Sequence, residues 1–135
     1  MATRALPGIY FSSKAYFDQI KGTDTYQAVI SLVDVDLPQK HPYQHYQITV
    51  RSWGDVKENI NTIISILKGA SEESKVLIHC QMGCNRCTLC IMAYMVAERG
   101  FTPQSAYETL REKNPCVGKP IFHFLEEIIR DYKAK

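Results

Sequence analysis

Thiols are the most reactive feature of this chain, and four of its five cysteines fall within residues 80–90. Three of them, Cys80, Cys84 and Cys87, have the C-x3-C-x2-C spacing with which thiolates can hold an iron–sulfur cluster. Adding Cys90 gives the four ligands that a structural zinc ion needs. Either site requires ligands on an open loop, whereas the residues around Cys87 and Cys90 have the apolar composition of a buried helix. We therefore predict neither a metal site nor a cofactor.

The surroundings of Cys80 favour a phosphate cradle. An apolar run, VLIH, leads into Cys80, a short loop with Gly83 at its centre follows, and a helical pattern begins at Arg86. Successive backbone amides of such a loop, together with a helix N-terminus, bind anions. They also lower the pKa of a thiol at the base of the loop and make it a nucleophile. Because the Arg86 guanidinium can hold two phosphate oxygens, these residues indicate phosphoryl transfer to cysteine followed by hydrolysis.

The stretch HCQMGCNR, residues 79–86, has the form H-C-x-x-G-x-x-R. This pattern resembles the signature of the cysteine-dependent protein tyrosine phosphatase superfamily. The flanking AYMVAERGFTPQSAYETLREKNP and the opening LPGIYFSSKAYF are similar to the small dual-specificity phosphatases, and the similarity spans nearly the whole chain. The resemblance implies a single catalytic domain over residues 1–135, with the α/β fold of a protein tyrosine phosphatase and no regulatory extension.

The resemblance also implies roles for individual residues. Cys80 takes the phosphoryl group, and Arg86 binds the phosphate and stabilises the transition state. His79 orders the loop and keeps the thiolate acidic, although a core histidine at the end of a strand explains the same residue. The phosphate-binding positions are those of the loop: Gln81, Met82, Gly83, Cys84, Asn85 and Arg86.

The residue after the arginine departs from the family pattern. That position usually carries serine or threonine, whose hydroxyl stabilises the thiolate as a leaving group in the second step. Here it is Cys87, a weaker hydrogen-bond donor, and Thr88 stands one position too late to replace it. We expect slower breakdown of the cysteinyl-phosphate.

The general acid also departs from the pattern. Family members use an aspartate on a loop well before the nucleophile, but residues 47–51 contain no carboxylate. The nearest candidate is Asp55, in SWGD. It equally fits a helix cap, because Glu58 follows three residues later and an apolar-periodic helix begins there. Both interpretations stay open, with Asp34, Asp36 or water as more remote proton donors.

The remaining thiols have two interpretations each. Cys84 or Cys87 could act as a resolving cysteine that protects Cys80 from irreversible oxidation, or both could simply pack. Cys90 and Cys116 are expected in the core or at its edge.

The substrate is predicted from the loop side chains and by analogy with the family. Gln81, Met82, Cys84 and Asn85 are uncharged, which favours a phosphoprotein over a phosphoinositide. A short chain without pocket-deepening insertions suggests a site that admits phosphotyrosine, phosphoserine and phosphothreonine. Two alternatives remain: an RNA 5′-triphosphatase of the same superfamily, and a weakly active phosphopeptide-binding module. The net charge of +2 disfavours RNA.

Strand and helix patterns alternate along the chain. The predicted strands are residues 27–36, 45–50 and 75–79, with a short β-type run after Gly8. The predicted helices are residues 56–69, 86–99, 102–115 and 119–135, and residues 51–55 are expected to form a turn. The second of these helices is largely apolar and is expected to be buried. The alternation predicts an α/β fold with a central, mostly parallel sheet flanked by helices.

Length and composition fit one globular domain. The chain has 135 residues, of which 45% are hydrophobic and 22% charged. The N-terminus lacks the apolar stretch of a secretory signal, and no apolar run is long enough to span a bilayer. The odd number and close spacing of the cysteines are unlike a secreted disulfide framework, so we expect a reducing compartment, the cytoplasm or the nucleus.

Overall fold

Five strands form the central sheet of this computed structural model, which describes residues 1–133. They are β1 (Thr3–Leu6), β2 (Ile9–Ser13), β3 (Ala28–Ser31), β4 (Gln44–Gln47) and β5 (Val76–Cys80). Their order across the sheet is β1-β2-β5-β3-β4. Among these strands β1 alone is antiparallel to its neighbour. The prediction of a mostly parallel sheet is therefore confirmed.

Helices cover both faces of the sheet. They are α1 (Lys14–Ile20), α2 (Trp53–Lys68), α3 (Arg86–Arg99), α4 (Pro103–Lys113) and α5 (Phe122–Lys133). On one face Phe17 of α1 packs with Val29 and Leu77. On the other face Ile30 and Ile78 join the larger core formed with α2–α5. Successive strand residues point to opposite faces, so both faces of β3 and β5 are apolar. Within residues 1–133, no helix has the length and apolar composition to cross a membrane.

The central helix is α3, as its composition predicts. Its residues 87–95 are all buried, and it ends at Gly100, which has a φ of 77°. That left-handed conformation is one that glycine adopts without steric penalty. The helix starts directly after the loop that carries the cysteines, so the core of the protein holds that loop in place.

Several boundaries differ from the sequence prediction. α2 begins at Trp53, because the Ser52 side chain caps it, and the expected turn RSWGD is therefore the start of a helix. β3 ends at Ser31 and does not continue to Asp36. Neither β1 nor α1 was predicted; α1 starts after the cap residue Ser13. Residues 134–135, the end of the last predicted helix, lie outside the described residues.

Candidate active site

The cysteine loop, residues 80–86, joins the C-terminal end of β5 to the start of α3. Its backbone lies against the end of β2, where the amide of Lys14 donates to the carbonyl of Gln81 at 3.1 Å. Gly83 has a φ of 78°, and a Cβ there would lie 2.6 Å from the carbonyl carbon of Ser12. Any side chain at position 83 would push the loop away from β2.

Cys80 lies at the base of this loop with 2% of its surface exposed. The amide of Gly83 donates to its Sγ at 3.3 Å, and the Sγ of Cys87 lies 3.5 Å away. The pKa of Cys80 is lowered to about 5, first by the hydrogen bond with the Cys87 thiol and then by the amides of Cys87 and Gly83. The charge of Arg86 adds to this effect, while burial opposes it. Cys80 is therefore a thiolate at neutral pH, the nucleophilic form of cysteine.

Cys87 is fully buried next to Cys80. Burial raises the pKa of Cys87 well above its ordinary value, so its thiol keeps its proton. Once Cys80 is ionised, Cys87 is thus the donor at the contact between the two sulfurs. Thr88 does not take part, because its Oγ1 donates to the carbonyls of Cys84 and Asn85 at 2.9 and 3.0 Å. The residue after Arg86 thus contacts Cys80, with a thiol where the family pattern has a hydroxyl.

His79 is buried in the core directly before Cys80. Its Nε2 lies 2.7 Å from the Oγ of Ser31, and its ring stacks on Phe17 with the centroids 4.6 Å apart. Burial lowers the pKa of His79 to about 4, so the ring is neutral at pH 7. A neutral ring contributes no positive charge to Cys80. The geometry therefore places His79 as a packed residue that fixes the end of β5.

Arg86 links the cysteine loop to the segment before α2. Its Nη1 donates to the carbonyl of Val50 at 2.9 Å. A guanidinium has five N–H donors, so this bond leaves others for an anion. Beside it opens a cavity of about 410 Å³, the Arg86 cavity. Its lining residues are Arg51, Ser52, Trp53, Asn85 and Arg86, and they include two cations but no carboxylate.

Asp55 serves as a helix cap in this geometry. Its Oδ2 accepts hydrogen bonds from the amides of Arg51 at 2.8 Å and Ser52 at 3.2 Å. The Oγ of Ser52 accepts in return from the amide of Asp55 at 3.3 Å. The capping box is thus formed by Ser52 and Asp55, and the expected partner Glu58 takes no part in it. The carboxylate of Asp55 is engaged by the backbone and does not line the Arg86 cavity. Its role as the general acid stays a prediction.

The more remote aspartates lie on the connection after β3. Asp34 accepts from the Oγ1 of Thr49 at 3.0 Å and pairs with Arg51 at 3.4 Å, with 75% of its side chain exposed. Asp36 contributes its carbonyl to a hydrogen bond from Lys21 at 3.0 Å. Neither aspartate lines the Arg86 cavity, although Asp34 reaches its rim through Arg51.

Cys84 and Cys116 form a disulfide across 32 residues of sequence. The expectation that Cys116 lies in the core or at its edge is wrong, because it is exposed on the connection between α4 and α5. The same connection is held by the amide of Gly118, which donates to the carbonyl of Cys84 at 2.9 Å. Of the two proposed resolving cysteines, Cys87 is the one in contact with Cys80, while Cys84 is bonded elsewhere. Cys90 is buried in α3 as expected.

The structure adds residues that the sequence did not single out. Val50, Ser52 and Trp53 border the site because α2 starts three residues earlier than its apolar periodicity indicates. A solitary tryptophan beside a helix cap is the pattern that could have drawn attention to position 53. The side chains of Gln81, Met82 and Asn85 are exposed around the loop. No sequence pattern predicts the pairing of Cys84 with Cys116.

Comparison with known proteins gives a family. The sequence-family model described as "Dual specificity phosphatase, catalytic domain" matches residues 12–134 of this chain. A probable rhodanese domain-containing dual specificity protein phosphatase of Dictyostelium discoideum is 27% identical over 103 residues, 74% of this chain and 21% of that protein. The dual specificity protein phosphatase Mpk3 of Drosophila melanogaster is 30% identical over 104 residues, 72% of this chain and 25% of that protein. The chain thus spans about a quarter or less of these relatives.

Solved structures share the fold over almost the entire chain. PTPMT1 superposes with a TM-score of 0.79 at 15% identity, covering 99% of this chain and 97% of that one. The Yvh1 phosphatase domain from Chaetomium thermophilum superposes with a TM-score of 0.77 at 16% identity, covering 99% and 96%. The fold agrees with the family match, which includes the whole cysteine loop. The chain therefore belongs to the dual-specificity phosphatase family of the protein tyrosine phosphatase superfamily.

Proposed function

We propose that this chain is a protein phosphatase that hydrolyses phosphotyrosine, phosphoserine and phosphothreonine through a cysteinyl-phosphate on Cys80. The observation that carries this proposal is the environment of that thiol. The hydrogen bond with Cys87 and the amide of Gly83 lower its pKa to about 5, at the base of a loop that ends in Arg86. A thiolate among backbone amides and next to a guanidinium is suited to attack a phosphate ester.

The reaction proceeds in two displacements at phosphorus. In the first, a lone pair of the Cys80 Sγ forms the S–P bond, and the bond to the substrate oxygen breaks with its electron pair moving to that oxygen. The loop amides and Arg86 stabilise the charge on the equatorial oxygens. In the second, water attacks phosphorus, the S–P bond breaks, and Cys80 becomes a thiolate again as inorganic phosphate leaves. The Cys87 thiol donates a hydrogen bond to the departing sulfur.

The lining of the Arg86 cavity supports water as the proton donor for the leaving oxygen. Among the described residues none of its lining side chains is a carboxylate, and Asp55 is engaged in the cap of α2. We assign protonation of the leaving group to water, with Asp55 as the alternative donor. A positioned acid typically raises the rate about 10²–10⁴-fold. Without one, the ester with the better leaving group reacts faster, so we expect aryl esters such as phosphotyrosine to react faster than alkyl esters. If Asp55→Asn lowers the rate on an aryl phosphate with a poor leaving group by that factor, the acid is Asp55.

One panel of substrates tests the proposed function. Wild type and Cys80→Ser are assayed for phosphate release from para-nitrophenyl phosphate, from phosphotyrosine, phosphoserine and phosphothreonine peptides, and from RNA with a 5′-triphosphate. We expect release from the first compound and the peptides by wild type and none by Cys80→Ser. Equal release by both proteins would refute a Cys80 intermediate. Binding of phosphopeptides by wild type without phosphate release would identify a phosphopeptide-binding module.

The second candidate is an RNA 5′-triphosphatase, and the same lining favours it. The leaving group of a phosphoanhydride is a phosphate anion, which needs no proton, so the lack of a carboxylate among the side chains lining the Arg86 cavity matters less for this reaction. The net charge of +2 over the whole chain provides little of the basic surface that RNA binding uses. We therefore rank the phosphoprotein first, and the RNA arm of the panel separates the two.

We also propose that the protein acts in a reducing compartment, the cytoplasm or the nucleus. Cys80, Cys87 and Cys90 are free thiols in the structure, whereas Cys84 and Cys116 form a disulfide that a reducing compartment disfavours. A nucleophilic thiol must stay reduced to act, and such compartments keep thiols reduced. Targeting of a tagged copy of the protein in cells, followed by thiol labelling of Cys80, tests this assignment.

A further inference from the structure

A second, smaller cavity opens beside the Arg86 cavity. It has a volume of about 80 Å³, and we call it the Ile121 cavity. Leu89 and Met92 of α3 are buried within its wall, while 70% of Ile121 and 45% of Trp53 are exposed. Its apolar lining side chains are Trp53, Leu89, Met92, Pro120, Ile121 and Phe124. It is therefore an apolar recess that solvent reaches.

The two cavities adjoin and are fixed relative to each other. Trp53 and Asn85 line both of them. The rim that carries Ile121 is docked on the cysteine loop, since Gly118 is hydrogen-bonded to the carbonyl of Cys84. Gly118 also lies so close to Asn85 that a Cβ at this position would overlap the Asn85 side chain. The distance and direction from the cysteine loop to the Ile121 cavity are therefore the same for every molecule bound at the loop.

We propose that the Ile121 cavity binds an apolar side chain of the phosphopeptide substrate, one or two residues from the phosphorylated residue. This inference rests on the proposed function and extends it to substrate choice. Consecutive Cα atoms are about 3.8 Å apart, and Cα atoms two residues apart in an extended chain are about 6.5–7 Å apart. These short spacings suit two cavities that share two lining residues. With about 10–15 Å³ needed per water-sized group, the cavity has room for the four carbons of a leucine side chain.

The character of the lining favours a peptide over RNA. The exposed face of Trp53 could stack a base. The recess beyond it, however, is walled by the branched or flexible side chains of Leu89, Met92 and Ile121, and these do not form a flat platform. The only charged lining side chain among the described residues is Lys119, whose Nζ lies 5.6 Å from the centroid of the Phe122 ring.

The test uses phosphotyrosine peptides that differ at one flanking position. Leucine and serine are compared at each of the two positions before and after the phosphotyrosine, with binding to the Cys80→Ser variant as the readout. Trp53 is the only tryptophan of the chain and lines both cavities, so its emission reports occupancy. At one or more of these positions we expect the leucine peptide to bind about tenfold more tightly, with a blue shift that inorganic phosphate alone does not produce.

Two further variants locate the preference. Ile121→Ser removes the exposed wall and places a favourable capping residue before α5, so the fold is kept. Leu37→Ser is the matched control, since Leu37 is 37% exposed and lines neither cavity. We expect the preference for leucine to vanish in the first variant and to persist in the second.

Three outcomes overturn the inference: equal affinities for leucine and serine peptides at all positions, a preference that survives Ile121→Ser, and tighter binding of a 5′-triphosphorylated trinucleotide than of either peptide. The proposed function is judged separately, by phosphate release from para-nitrophenyl phosphate by wild type. A failure there leaves the affinities of the Cys80→Ser protein as the measure of the Ile121 cavity.

Discussion

The contact between two sulfur atoms determines the chemistry of Cys80. Cys87 is buried and stays protonated, and its thiol is the leading cause of the low pKa of Cys80. The family pattern places a hydroxyl at this position, which is a stronger donor than a thiol. This sulfur contacts Cys80 in the structure, and in the proposed mechanism it also contacts the leaving sulfur of the second displacement. Substitutions at position 87 therefore act on both states.

Alkylation of Cys80 should follow its lowered pKa. The thiolate is present above pH 5 and is lost below it, so we expect the rate of iodoacetate labelling to fall about tenfold per pH unit below 5. In Cys87→Ala the midpoint should move up toward the ordinary value of 9.0. Peptide mapping by mass spectrometry measures labelling of Cys80 alone. Cys90→Ala serves as the control, and a midpoint that Cys87→Ala leaves unchanged contradicts the sulfur contact as the cause.

Replacing Cys87 by serine should speed the breakdown of the intermediate. A hydroxyl donates a stronger hydrogen bond to the leaving sulfur, and a gain of about 1 kcal/mol corresponds to about fivefold in rate. Rapid-quench measurement of the phosphoenzyme gives this rate. Thr88→Val is the comparison, because the Thr88 hydroxyl donates to backbone carbonyls and should affect stability alone. Identical breakdown rates in wild type and Cys87→Ser count against the leaving-group role.

At the scale of elements, the start of α2 organises one wall of the site. Val50 accepts the hydrogen bond from Arg86, Ser52 caps the helix, and Trp53 is its first residue. The cap therefore fixes Ser52 and Trp53, which line the Arg86 cavity, and Trp53 lines the Ile121 cavity as well. Apolar periodicity alone places the helix start at Val56, because Trp53, Gly54 and Asp55 carry no apolar stripe.

Removing the Asp55 carboxylate should weaken this cap. Asp55→Ala leaves the amides of Arg51 and Ser52 without their acceptor, and we expect a loss of about 1 kcal/mol in the free energy of unfolding. Urea denaturation measures the loss. Glu58→Ala is the matched control, since Glu58 is outside the capping box, and it should change stability little. Equal losses for the two variants would mean that the cap is not the source of the effect.

Much of the fold could be predicted from sequence, for reasons that particular elements show. α3 was predicted from Arg86 to Arg99 because its residues are apolar on all sides and Gly100 ends it. β5 was predicted from its continuous apolar run. β1 was missed because TRAL, with the single β-branched residue Thr3, has no strand pattern, and it forms by pairing with β2. Cys80 and Arg86 are predicted as site residues from their spacing, whereas the cap of α2 required the hydrogen bonds of Ser52.

At the scale of the whole molecule, the disulfide joins the cysteine loop to the connection between α4 and α5. Cys84 and Cys116 are 32 residues apart, and no local pattern relates them. Only the packing of α3 against α4 and α5 brings their chain segments together. This is the part of the site that sequence could not supply. It also means that Cys116, which is expected in the core or at its edge, instead links two segments through a disulfide.

Reduction of this disulfide should lower global stability. A cross-link over this separation reduces the entropy of the unfolded chain, and its loss typically costs about 2–4 kcal/mol. We expect urea denaturation of wild type to show such a decrease when a thiol reductant is added, and Cys116→Ser to have the lower stability with or without reductant. Cys90→Ala should keep the response to reductant. Alkylation of Cys84 and Cys116 in the native, unreduced protein would contradict the pairing.

Gln81 and Met82 offer a consequence for protein engineering. Their side chains are exposed, with Met82 at 72%, while the backbone around them is held by Lys14 and by the close fit of Gly83 on Ser12. A combinatorial library restricted to these two positions should alter which molecules the enzyme accepts without changing the path of the loop. Such a library is small enough to be screened exhaustively, so we expect variants with altered substrate selectivity to be obtained from these two positions alone.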